Sequence, residues 1–123
     1  MLHIAPSTVE PFDFHGLEIT DYTRHLLSAA SVATITVAPG VTHPTTRSTR
    51  SDKLYYCLEG PMPFRVGDND LILQTSDLLV IPKGEWFSYT NTSNQPTRVL
   101  LVHVPSFDLA AEEFQPSPTR SDG

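Results

Sequence analysis

Two stretches of the chain decide the fold: PGVTHPTTRSTRSDKLYYCLEG, residues 39–60, and SDLLVIPKGEWFSYTN, residues 76–91. In both, glycine, proline or asparagine separates short apolar runs, as happens where strands meet turns. Similar runs lie on either side, and helical periodicity is almost absent. Short strands at regular spacing with turn residues between them predict an all-β sandwich or barrel. The predicted strands are 17–22, 33–37, 54–58, 63–66, 71–73, 78–81, 86–90 and 98–104.

The two ends of the chain depart from this pattern. Residues 108–114, DLAAEEF, are the one helix candidate, with Asp108 as its N-cap. We expect residues 1–16 to form an N-terminal arm and residues 17–114 to form one β-barrel domain. The polar residues 115–123 contain two prolines, which predicts a disordered tail.

Length and composition limit the possible classes of protein. A chain of 123 residues forms one domain, and a net charge of −6 does not favour nucleic-acid binding, which requires a basic face. Cys57 is the only cysteine, so an intrachain disulfide and a cysteine-rich zinc site are excluded, and burial as a small apolar residue is expected. The sequence shows no signal peptide and no apolar run of about 20 residues. We therefore expect a cytoplasmic protein without a membrane partner.

The spacing within the two stretches resembles the two sequence motifs of the cupin superfamily. The residues that fall on register are Gly40, Gly60, Pro82, Gly84 and Asn91, with Ser76 in place of the first glycine of the second motif. The short segment between the motifs, 61–75, is similar to that of small single-domain cupins. The resemblance implies a single double-stranded β-helix, a jelly-roll-like barrel with a short C-terminal helix. It also implies a homodimer that pairs through outer strands.

The positions that bind metal in this family have lost their donors. Where the motifs place histidines and a carboxylate, this chain has Thr46, Ser48, Lys53 and Phe87. Hydroxyls are poor ligands for transition ions, phenylalanine has no donor, and a protonated lysine repels a divalent ion. We therefore expect no metal and no other cofactor. One alternative stays open, in which a slipped register combines His43 and His103 with a carboxylate in an unusual metal site.

Strand alternation gives the candidate site residues. If Lys53 faces the lumen, Tyr55 does too, because alternate residues share a face. A lysine with hydroxyls and aromatic walls suits a small organic ligand with an anionic oxygen. We predict Lys53, Tyr55 and His103 as catalytic residues. The predicted substrate-binding residues are Arg47, Ser48, Trp86, Phe87, Tyr89 and Asn91.

The leading functional hypothesis is a metal-independent enzyme that acts on a small organic molecule by acid–base chemistry, as an isomerase, cyclase or lyase. The resemblance is to metal-free sugar epimerases of the superfamily. Lys53 would stabilise an oxyanion, while His103 or a tyrosine would move a proton. Two alternatives stand beside it: a non-catalytic cupin that binds a small molecule or sugar, and a metal-dependent dioxygenase with unusual ligands. A lumen-facing His103 near Lys53 favours the enzyme, whereas a purely aromatic lumen favours binding.

Overall fold

The computed structural model describes residues 1–116, and these residues are almost entirely β-structure and turns. Single 3-10 turns lie at Pro6–Thr8 and Leu109–Ala111, and no helix in this range is long and apolar enough to cross a membrane. The strands are β1 (Phe12–Phe14), β2 (Leu17–Asp21), β3 (Ser31–Val37), β4 (Thr42–Ser48), β5 (Asp52–Glu59), β6 (Met62–Val66), β7 (Asn69–Leu73), β8 (Leu78–Ile81), β9 (Phe87–Thr90), β10 (Thr97–Val104) and β11 (Glu112–Phe114).

The strands form two antiparallel sheets in a jelly-roll arrangement. One sheet has the order β1-β2-β3-β10-β5-β8, and the other has the order β11-β4-β9-β6-β7. Residues alternate between inner and outer faces, most regularly along β10, where every second residue from Thr97 to His103 is buried. The predicted all-β, jelly-roll fold class is confirmed.

The core fills the space between the two sheets. It contains Leu17, Ile35, Val37, Tyr55, Cys57, Met62, Phe64, Leu73, Ile81, Phe87, Tyr89, Val99 and Leu101. Cys57 is fully buried, as expected for a small apolar residue. Gly60 lies close to it, since a Cβ at this position would stand 2.9 Å from both Cys57 Sγ and the Leu73 carbonyl oxygen. Close packing of the chain therefore explains why a glycine ends the first motif.

The strand pairings of β5 place the candidate site. Lys53 lies opposite His103 on β10 and Ile81 on β8, and Tyr55 lies opposite Leu101 on β10. The side chains of Lys53 and Tyr55 are both buried on the inner face of the sheet. The inward face of β5 is thus the face that strand alternation predicts.

The C-terminal helix is shorter than residues 108–114. Asp108 accepts a hydrogen bond from the Ala110 amide at 3.1 Å, as an N-cap does, but only Leu109–Ala111 is helical. The next three residues form β11 and pair with β4, Glu112 lying opposite Ser48. A short isolated helix is marginal in water, and the edge of β4 offers backbone hydrogen bonds that stabilise a strand instead.

Both chain ends join the sheets more closely than the sequence indicates. β1 lies within the predicted arm and pairs with β2, Phe12 standing opposite Ile19. Gln115, the first residue of the predicted tail, donates its amide hydrogen to the Thr45 carbonyl oxygen at 2.9 Å. Residues 117–123, most of that tail, lie outside the described residues.

Candidate active site

A cavity of about 380 Å³ lies between the two sheets. Phenylalanines and aliphatic residues form most of its wall, which comes from strands β1, β2, β3, β4, β5, β10 and β11 and from the segment that leads into β11. Five lining residues carry chemistry, and we call them the polar cluster: His43, Lys53, Tyr55, His103 and Glu112.

A buried ion pair is at the centre of the polar cluster. The Lys53 ammonium donates to Oε1 of Glu112, and the two side chains are only 5% and 4% exposed. The ammonium also lies 5.2 Å from the centre of the Phe87 ring. Burial lowers the pKa of Lys53, while the neighbouring Glu112 carboxylate acts in the opposite direction. Each partner therefore compensates the charge of the other inside the barrel.

His103 stands beside Lys53 on the neighbouring strand. Its ring packs edge-on against Phe107, with 5.1 Å between ring centres. Burial, assisted by the Lys53 charge, lowers the pKa of His103 to about 3, so the imidazole is neutral near pH 7. Its Nε2 atom is buried and has no hydrogen-bond partner within residues 1–116.

His43 is a second neutral imidazole in the cluster. Its ring lies 5.3 Å from the Phe87 ring and 4.8 Å from the Tyr89 ring, measured between centres. Nδ1 is 2.6 Å from the Pro44 carbonyl oxygen, which can only accept, so Nδ1 carries the hydrogen. Burial lowers the pKa of His43 to about 4.

Tyr55 contributes a protonated hydroxyl. The side chain is completely buried, and burial raises the pKa of Tyr55 well above its usual value. Its hydroxyl has no hydrogen-bond partner among the described residues. The neighbouring Tyr89 side chain acts in the same direction on the pKa of Tyr55, so the Tyr55 hydroxyl keeps its hydrogen and can donate it to a ligand.

The residues at the family's metal positions do not fit a divalent ion. The Thr46 hydroxyl donates to the Pro44 carbonyl oxygen at 2.8 Å, and Ser48 Oγ accepts the Ser51 amide hydrogen at 2.8 Å. Lys53 places a cation at the centre, and Phe87 has no donor. Within residues 1–116, no three His, Cys, Asp or Glu side chains come together as a metal site would require. His43 and His103 instead lie around the Lys53 ammonium, whose charge lowers the pKa of both.

Three of the predicted substrate-binding residues support the site from behind the cavity wall. Phe87 packs under Lys53 and His43, and Tyr89 packs against His43 and Tyr55. Asn91 is fully buried, but its side chain stabilises the backbone. Its side-chain amide donates to the carbonyl oxygens of Val37 and Gln95 at 2.9 and 2.7 Å. None of the three is a wall residue of the cavity.

The other three predicted substrate-binding residues lie away from the lumen. Arg47 bonds Glu113 through Nε at 2.6 Å and covers the Trp86 ring at 4.5 Å. Trp86 lines a separate hollow of about 300 Å³. Ser48 stabilises the turn after β4, because its hydroxyl oxygen accepts backbone amide hydrogens. Alternation along β4 turns Arg47 away from the face of Thr46, whereas Ser48 is buried on the face of Thr46 with its hydroxyl used in the turn. His43 and Thr46 both reach the cavity wall because the register of β4 shifts between them.

Sequence reasoning missed Glu112 and the aromatic wall. The sequence places Glu112 in the predicted helix, because the run Glu-Glu-Phe after an N-cap favours helix as much as strand. It indicates His43 only as a possible ligand of an unusual metal site. The wall contains Phe12 and Phe14 from β1 and Phe107 and Phe114 from the C-terminal segment. These residues come from the two ends of the chain, and no local pattern brings the ends together.

Comparisons with known proteins agree with this fold. Residues 33–103, more than half of the chain, match the family described as Cupin domain. The chain belongs to the cupin family. It is also 31% identical over 109 residues to the tetracenomycin polyketide synthase protein TcmJ of Streptomyces glaucescens, which covers 83% of this chain and 70% of that protein.

Solved structures resemble the whole barrel. Pac13 from Streptomyces, described as a nucleoside dehydratase, has a TM-score of 0.82 at 21% identity, over 94% of this chain and 91% of that one. A predicted oxalate decarboxylase from Thermotoga maritima has a TM-score of 0.76 at 19% identity, over 85% of this chain and 99% of that one. At these identities the likeness shows the fold.

Proposed function

We propose that this cupin is a metal-independent enzyme that moves a proton on a small organic molecule held in its lumen. The observation that carries the proposal is that Lys53, Tyr55 and His103 line one cavity, with His103 directly opposite Lys53. A cation, a hydroxyl donor and a neutral imidazole are the groups that an isomerisation, cyclisation or elimination by proton transfer requires.

Each of the three residues has a separate role. The Lys53 ammonium stabilises a ligand oxygen that gains negative charge, and the Tyr55 hydroxyl donates a hydrogen bond to it. Nε2 of His103 takes the proton from carbon and returns it to another carbon, or to a departing hydroxyl. The Lys53 charge helps to hold the pKa of His103 low, so His103 becomes more basic as the neighbouring oxygen turns negative.

The relatives support this class of chemistry. One is a polyketide synthase protein, and polyketides are rich in carbonyl groups whose neighbouring carbons lose protons readily. Another is a dehydratase, and loss of water is an elimination. Structures of Pac13 with uridine include variants changed at a histidine or a tyrosine, residue types that also line the present cavity. We therefore place a carbonyl or nucleoside-like compound first among substrates.

Proton transfer can be tested before the substrate is known. The protein is incubated in D₂O with β-diketones, hydroxy ketones and nucleosides, and mass spectrometry follows deuterium uptake and loss of water. At least one compound should react faster than in buffer, and Lys53→Met and His103→Phe should each slow it by about 100-fold or more. Lys83→Met, a change at an exposed lysine, is the control and should keep the rate. Equal rates in all the proteins would overturn the proposal.

A non-catalytic ligand-binding cupin is the second candidate, favoured by the phenylalanines around the cavity. Aromatic walls retain a ligand without any need for proton transfer. This function predicts saturable binding of a compound from the same panel, with no deuterium uptake and no loss of water. Calorimetry measures binding and the D₂O experiment measures proton transfer, so the two together distinguish the binding protein from the enzyme.

We also propose that the protein acts as a homodimer. Five residues on the outer face of the six-stranded sheet form what we call the outer strip: Leu54, Tyr56, Leu78, Val80 and Val102. Leu54 lies opposite both Val80 and Val102, so the strip crosses three neighbouring strands. Leu78 and Val80 are 57% and 53% exposed. Leu54, Tyr56 and Val102 are half-buried beside them, and an apolar surface of this kind favours association with a second copy.

A further inference from the structure

Three polar atoms at the cavity have no partner within the described residues. They are the Tyr55 hydroxyl oxygen, Nε2 of His103 and Oε2 of Glu112, and each is buried. The Glu112 side chain is only 4% exposed, and its other carboxylate oxygen already accepts from Lys53. Buried polar groups are nearly always hydrogen-bonded. A ligand in the cavity would supply the missing partners, including a hydrogen donor for the Glu112 carboxylate.

The charges around the cavity argue against the anionic ligand expected from the sequence. Glu112 compensates Lys53, and Asp21 adds a further carboxylate to the wall. Arg47 and Arg50 lie outside the wall and are paired, Arg47 with Glu113 and Arg50 with Asp108. A ligand that enters as an anion would find each of these three cations already paired with a carboxylate, and a buried charge without a partner is strongly unfavourable.

The rest of the wall is apolar and aromatic. Phe12, Phe14, Phe107 and Phe114 all line the cavity, and the rings of Phe14 and Phe114 meet at 5.9 Å between centres. A dry cavity of about 150 Å³ is enough to bind benzene. The cavity here, about 380 Å³, therefore has room for two or three fused rings.

We infer that the lumen takes an electrically neutral, planar and largely apolar ligand with a hydroxyl at one end, and that Oε2 of Glu112 accepts the hydrogen of that hydroxyl. The ring system packs between the phenylalanines, and Tyr55 donates to the same ligand oxygen. This deepens the proposed function by naming a ligand class, and it rests on the proposed use of the cavity for a small molecule. It does not require turnover.

Two probes with the same ring system test the inference by isothermal titration calorimetry at neutral pH. 2-Naphthol is neutral and carries a hydroxyl, whereas 2-naphthoate has the same rings and a negative charge. 2-Naphthol should bind the wild-type protein about tenfold more tightly or better. Equal or tighter binding of 2-naphthoate would overturn the inference, and so would the absence of 2-naphthol binding up to about 1 mM.

Glu112→Gln should reverse the preference. Loss of the carboxylate frees the Lys53 charge, so 2-naphthoate should gain about tenfold in affinity while 2-naphthol loses a similar factor. Glu113→Gln, a change at the exposed neighbour, is the matched control and should bind both probes as the wild type does. An unchanged preference in a folded Glu112→Gln protein would contradict the role of Glu112. If circular dichroism shows that this variant does not fold, the wild-type comparison decides.

The two proposals can fail separately. Binding of 2-naphthol together with no proton transfer in the D₂O panel would support this ligand class and overturn the enzyme. Turnover of an anionic compound, together with tighter binding of 2-naphthoate, would support the enzyme and overturn the ligand class.

Discussion

At the scale of single residues, the main feature is a lumen in which a cation stands where the family motif has an anion. The family motif has a carboxylate on the strand where this chain has Lys53, and the compensating carboxylate comes from Glu112 on β11. The two residues are far apart in sequence but form one buried pair. An isolated lysine at this depth would be strongly destabilising, so Lys53 and Glu112 depend on each other.

Removing only the cation should therefore destabilise the barrel. Lys53→Met leaves the Glu112 carboxylate buried without its partner, and we expect the free energy of unfolding to fall by about 3 to 5 kcal/mol. Urea denaturation at neutral pH measures the change. Lys83→Met, at the exposed lysine, should change it by less than about 0.5 kcal/mol.

Replacing both partners should restore much of the loss. The double variant Lys53→Met, Glu112→Leu has no buried charge, and apolar replacement of a buried ion pair is often neutral or stabilising. A double variant no more stable than Lys53→Met would show that lost packing, rather than an unpaired charge, causes the effect.

Three of the five residues of the polar cluster can be predicted from the sequence, and the reason is simple. Lys53 and Tyr55 share a face by alternation along one strand, and His103 lies on a strand whose apolar neighbours indicate its place. Glu112 could not be found this way. β11 is only three residues long, and which of its side chains face inward is determined by its pairing with β4. The predicted roles of Lys53, Tyr55 and His103 remain predictions.

At the scale of elements, the longer strands with apolar inner faces were predictable, whereas β4, with a polar inner face, and the three-residue strands β1 and β11 were not. The predicted segment 78–81 coincides with β8, and 98–104 differs from β10 by one residue. The whole of β4 was missed, since its buried residues are His43, Thr46 and Ser48. Polar residues give no hydrophobic alternation in the sequence. Here they are nevertheless buried, because they line the cavity or form hydrogen bonds in a turn.

β11 should be the element that controls the ion pair. Glu113→Pro places a proline, which lacks an amide hydrogen, in the middle of this strand, and should detach Glu112 from Lys53. We expect a loss of stability close to that of Lys53→Met. In the combined variant the two losses should not add, because both changes break the same pair. Urea denaturation of the wild type, the two single variants and the combined variant measures this coupling. Additive losses of stability would contradict the prediction.

At the scale of the whole molecule, the buried histidines should make stability depend on pH. The pKa values of His43 and His103 are lowered to about 4 and about 3 in the folded protein, against 6.5 for an exposed histidine. Below pH 6.5 the unfolded chain therefore binds more protons than the folded one, and stability falls as the pH falls towards 4. Each histidine contributes a slope of up to about 1.4 kcal/mol per pH unit.

The contribution of one histidine can be isolated. Urea denaturation between pH 7 and pH 4 should give a shallower slope for His103→Phe than for the wild type, because a phenylalanine binds no proton. Identical slopes would mean that His103 does not contribute to the acid sensitivity.

The outer strip makes a prediction about assembly. Light scattering of the wild-type protein should give about twice the chain mass of 13.6 kDa. Adding charge with Leu78→Glu and Val80→Glu together should give the mass of one chain, because buried charges at an interface are unfavourable. Ile72→Glu changes an equally exposed residue of the other sheet and serves as the control. A wild-type protein with the mass of one chain would contradict the proposed dimer.

The position of the aromatic wall also affects how this barrel could evolve. Phe12, Phe14 and Phe114 belong to the first and last strands, and neither strand contributes a residue to the buried core. Phe14 packs against the core, but mutations at Phe12 and Phe114 can reshape the cavity wall while the centre of the barrel keeps its packing. New ligand preferences could therefore accumulate at the chain ends, and a directed-evolution library confined to these positions should yield many folded proteins.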